Sequence, residues 1–96
     1  MVYFLCMKPT IQFTTEVFKE GDTFVAWSPE LDVSSMGASM DDARHNLREA
    51  VTLFIGEAEK MGTLQDILDE AGYARIETGW RAPELLAIEK TAVAIS

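Results

Sequence analysis

Carboxylates are the groups in this chain best placed to do chemistry. Glu30 and Asp32 flank Leu31 beside Pro29, Asp41 adjoins Asp42, and Asp66, Asp69 and Glu70 fall close together. Paired acids can exchange protons with a substrate, and acids converging from several elements can hold a divalent metal. Asp41, Asp42 and Asp66 stand where helix starts are read below, a position that the helix dipole favours without any catalytic reason. Asp69 and Glu70 read as a solvated helix face. Glu30 and Asp32 alone have no such local role, so they are assigned, with the neighbouring Trp27, to contact with a partner.

Other chemistries find less support. His45 is the single histidine, and it falls off the apolar stripe of its helix next to Arg44. It reads as solvent-facing, since a zinc site wants a second His or Cys at helical spacing. Cys6 has neither a second cysteine for a disulfide nor a flanking base to activate it. Gly21, Gly37, Gly62 and Gly72 close elements and form neither GxGxxG nor a Walker loop. No catalytic residue, cofactor or metal is expected. A vestigial nuclease using Glu30 and Asp32 with a divalent metal is the enzymatic alternative, and the more disfavoured one.

The elements that position these residues follow from periodicity. TIQFTTEVFK, residues 10–19, places Ile11, Phe13 and Val17 on one face and Gln12, Thr14 and Glu16 on the other, the alternation of a half-buried strand. Glu20-Gly21-Asp22 turns the chain, and residues 23–28 return as a second strand. Pro29 cannot donate to a ladder and ends it. Residues 31–36 alternate again as a short third strand closed by Gly37.

Ser39 with Asp42 has the spacing of a helix-starting box. Met40, Ala43, Leu47, Ala50, Phe54, Ala58 and Met61 then recur every three or four residues as one apolar stripe, ended by Gly62. Thr63 with Asp66 opens a second, shorter helix that Gly72 ends. Residues 73–83 read as a connector. ELLAIEKTAVAIS, residues 84–96, is apolar on both faces and is assigned as a last strand, with a short helix up to Lys90 as the competitor. The expected fold is α+β, a three-stranded antiparallel meander on a long helix, in the order β-β-β-α-α-β.

The chain has 96 residues, 48% hydrophobic and 25% charged, which suits one soluble domain over residues 1–96. Sixteen acids against eight bases give a net charge of −8. That balance repels phosphate backbones and favours a basic protein partner, while also serving solubility. The apolar start MVYFLCM is too short to span a bilayer and lacks a basic leader, so no membrane and a cytoplasmic location are expected. Met7-Lys8 looks like a chain start, which makes residues 1–6 read as an extension. Trp80 lies between Gly79 and Arg81 in the connector. With Leu85, Leu86, Ile88, Val93 and Ile95 it is assigned to an interface within a homo-oligomer.

The run FVAWSPELDVSSMGASMDDARHNLREAVTLFI resembles the centre of the HicB family of antitoxin-like proteins. The matching pattern is an aromatic-rich strand, Pro29-Glu30-Leu31, a short strand ending at Gly37, then Ser39, Ala43, Asn46-Leu47 and Glu49-Ala50. The resemblance covers residues 9–60. It departs from the family at Leu31-Asp32-Val33-Ser34, where Leu-Pro-Gly-Cys is common. It implies a degraded RNase H-like or dsRBD-like unit without catalysis. Such proteins cover the active site of a HicA toxin, a small basic mRNA-cleaving protein, and assemble as dimers or tetramers. Many family members also repress their own operon through a C-terminal DNA-binding module. No ribbon-helix-helix or helix-turn-helix segment is evident here, and the helix at 63–71 is short and acidic, so DNA binding is not expected. A solitary structural oligomer without a toxin partner is the alternative.

Overall fold

The structure, a computed structural model, describes residues 8–96. Cys6 and the proposed extension at residues 1–6 lie outside the described residues. The order is β1 (Thr10–Ile11), β2 (Glu16–Glu20), β3 (Thr23–Ser28), β4 (Val33–Gly37), α1 (Met40–Met61), α2 (Leu64–Glu70), β5 (Ala74–Ile76) and β6 (Gly79–Arg81). The protein is α+β, with the meander β2-β3-β4 packed on a long helix.

Alternation sets the two faces of the meander. Val17, Phe24, Ala26 and Val33 point to the core, where Ala26, Leu31, Ala43, Leu47, Val51, Leu68 and Tyr73 are buried. The helix starts at Ser39, whose Oγ accepts from the Asp42 amide at 3.1 Å. It stops at Gly62, whose left-handed φ of 73° lets its amide reach the Ala58 and Glu59 carbonyls. The buried stripe is Ala43, Leu47, Val51 and Ala58, so Val51 takes the central place expected of Ala50. Met40 and Met61, at the two ends, are 44% and 70% exposed. A helix of 22 residues runs about 33 Å, whereas five or six strand residues run roughly 17–20 Å. The helix is therefore longer than the strands it packs on.

Besides Ala50 above and residues 84–96 below, four expectations need correction. The first strand is split into β1, which pairs with β6, and β2, which pairs with β3, with residues 12–15 between them outside both strands. The third strand starts at Val33, since residues 29–32 turn with the Asp32 amide donating to the Ser28 carbonyl at 2.8 Å. Thr63 does not cap α2 with its side chain; its hydroxyl donates back to the Ala58 carbonyl at 3.4 Å. The connector at 73–83 is itself a hairpin, β5-β6, and β6 pairs parallel with β1 in a second sheet of order β1-β6-β5.

Residues 84–96 are not a strand: they carry no secondary structure and all are exposed. A strand needs a neighbouring ladder and a layer to cover each apolar face, and the chain offers this segment neither. Among the described residues, no helix is long and apolar enough to cross a membrane.

Candidate functional site

The Pro29 corner separates its two carboxylates. Glu30 turns toward residues 12–15, where the strand is broken. Its carboxylate accepts from the Thr14 amide at 2.9 and 3.1 Å, from the Thr14 hydroxyl, and from the Ser28 hydroxyl at 3.3 Å. Ser28 is completely buried. Glu30 thus replaces the ladder partner that Thr14 lacks, a structural role its spacing in the sequence does not show. Tyr73 joins the same junction, its hydroxyl donating to the Gln12 carbonyl at 2.6 Å. Burial, with Glu30 adding to it, pushes the Tyr73 hydroxyl up to about 12.

Asp32 faces the other way. It is exposed and sits at a left-handed φ of 54°, the only described non-glycine residue with positive φ. Its Oδ1 accepts from the Trp27 indole N–H at 3.1 Å. Trp27 belongs to the face of the meander turned away from α1. Phe18, Val25 and Met36 stand abreast across the three strands, with Glu16, Trp27 and Ser34 abreast two positions along. Phe18 is 48% and Met36 63% exposed. None of these side chains packs on the core. The result is an apolar, aromatic surface edged by Glu16, Glu20 and Asp32.

The three expected contact residues are therefore divided. Trp27 and Asp32 belong to one outward surface, while Glu30 is spent on the strand break behind it. Phe18, Val25 and Met36 were missed as surface residues, although strict alternation about Ala26 gives the signal that finds them. Trp80 is half-buried on the core of its own chain. The Arg75 guanidinium lies 5.5 Å from its ring centre, brought there by the Arg75–Trp80 register of the hairpin. His45 is exposed and pairs along the helix with Glu49 at 2.8 Å. Among the described residues, no three His, Cys, Asp or Glu side chains come together as metal ligands would.

No protein-family model, curated protein or solved structure matches this chain.

Proposed function

We propose that this protein is a non-catalytic protein-binding domain of the HicB-like antitoxin kind, acting in the cytoplasm. In this reading its fold is a degraded RNase H-like or dsRBD-like unit, and its outward sheet face covers the active site of a small basic mRNA-cleaving protein of the HicA type. One observation carries the proposal. Phe18, Val25, Trp27 and Met36 form an uncovered apolar face within an acidic frame, on a chain of net charge −8. Aromatic and methionine side chains anchor interfaces, and a surrounding field of one sign steers a partner of the other.

The test is binding of a HicA-type protein encoded beside this one, by calorimetry and stopped flow. Trp27→Ala should weaken binding about 30-fold or more, the loss expected of a central aromatic anchor. Rising salt should slow association. Affinity untouched by Trp27→Ala, together with salt-independent association, would reject the reading.

A second reading, a solitary structural oligomer with no toxin partner, is favoured by a different observation. Residues 84–96 leave five large aliphatic side chains in solvent, from Leu85 at 62% to Ile95 at 98% exposure.

A further inference from the structure

Segment 84–96 forms an exposed arm beyond β6. Between β1 and α1 runs an open groove of about 500 Å³. Ile11, Phe13, Val51 and Ile55 give it an apolar lining, and Lys8 and Arg48 stand on it as cations, with Glu59 also present. The described ion pairs join Arg44 to Asp41 and Lys60 to Glu57, and His45 lies against Glu49. Lys8 and Arg48 are in none of them, although acids outnumber bases two to one in this chain. Nor are Glu84 and Glu89 of the arm.

We propose that the arm of one copy lies in the β1–α1 groove of a second copy, and the exchange is reciprocal. Leu86, Ile88 and Val93 supply the apolar contact, and Glu84 and Glu89 meet Lys8 and Arg48. This inference rests on the oligomer reading and is independent of what binds the sheet face. Two features support the choice of occupant. The chemistry matches in kind and in sign: aliphatic and acidic on the arm, apolar and basic on the groove. The size matches as well. The groove, open and about 500 Å³, has room for the three aliphatic side chains assigned to it. A reciprocal exchange also closes on itself as a two-fold dimer and leaves no free arm to propagate a chain of subunits. A lipid surface fits less well, because an arm with two acids and one base on a protein of charge −8 is repelled by anionic headgroups.

The experiment is light scattering of the full chain over a concentration series, with hydrogen exchange of the arm. The wild type should weigh twice the 10.7 kDa of one chain. Replacing Leu86 and Ile88 together by Asp should leave a monomer with an unchanged circular dichroism spectrum, since both side chains are exposed. Arg48→Glu should weaken self-association about tenfold or more, and adding Glu89→Arg to it should restore much of the loss. A wild type that stays monomeric with an exchanging arm overturns both this proposal and the oligomer reading. An oligomer indifferent to the arm and to Arg48 overturns this proposal and leaves the oligomer reading standing. A monomer whose arm is protected until Arg48→Glu is introduced places the arm in its own groove, and overturns exchange between copies.

Discussion

Helix α1 and the arm at residues 84–96 make an instructive pair. The arm carries aliphatic side chains more densely than the helix does, yet α1 buries four residues and the arm buries none. In α1 the apolar residues recur every three or four positions and form one stripe, which meets the inward face of the meander. In the arm they occur on every side, and no layer of the same chain stands opposite them. Apolar content states a need for cover; only spacing, together with a facing layer, meets it.

Substitutions can break or sharpen that contrast. The largest effect is expected at Leu47, completely buried under the sheet. Leu47→Ala should cost about 2–5 kcal/mol by chemical denaturation. Glu30→Ala follows. It strips the Thr14 amide and the buried Ser28 hydroxyl of their acceptor, and should cost about 2–3 kcal/mol. A loss near that of an exposed acid would remove Glu30 from the architecture of the strand break.

Tyr73→Phe comes next, at about 1 kcal/mol at neutral pH, from the bond to the Gln12 carbonyl. It also has a pH signature. The folded state holds the hydroxyl proton more tightly than the unfolded chain does. The resulting stability is complete below the ordinary tyrosine value of 10.0 and disappears as pH rises toward about 12. The wild type should lose stability across that window, and Tyr73→Phe should lose less of it. The smallest effect belongs to the arm. Leu86→Ser in dilute monomer should change unfolding free energy by under about 0.5 kcal/mol. A larger cost there would show that the arm is covered by its own chain and would erase the contrast.

The parts of the fold that could be read in advance are those decided locally. The hairpin about Gly21 was readable from alternation and a turn residue. Helix α1 was readable from Ser39, its periodic stripe and Gly62. What escaped depends on residues far apart in sequence. The strand break at 12–15 is set by Glu30, sixteen residues from Thr14. The hairpin β5-β6 turns through Glu77-Thr78, without the Asn-Gly or Asp-Gly that announces a tight turn. Its second strand is fixed by pairing with β1, which lies at the other end of the sequence. There Gly79 accepts the approach of Thr10, whose backbone would collide with an added Cβ. At the candidate surface, Trp27 and Asp32 were readable as contact residues at the Pro29 corner, but only in company with Glu30. The inward turn of Glu30 was not, because its main partner, the Thr14 amide, lies sixteen residues away.

The left-handed turn at Asp32 has a consequence for recognition. Glycine would occupy that φ with less strain, so the backbone alone does not call for an aspartate. The carboxylate holds the Trp27 indole in one orientation in the free protein. Freezing a mobile side chain on docking costs about 0.5–1.5 kcal/mol. Here that entropy is surrendered during folding, so a molecule settling on the face meets an aromatic ring already set.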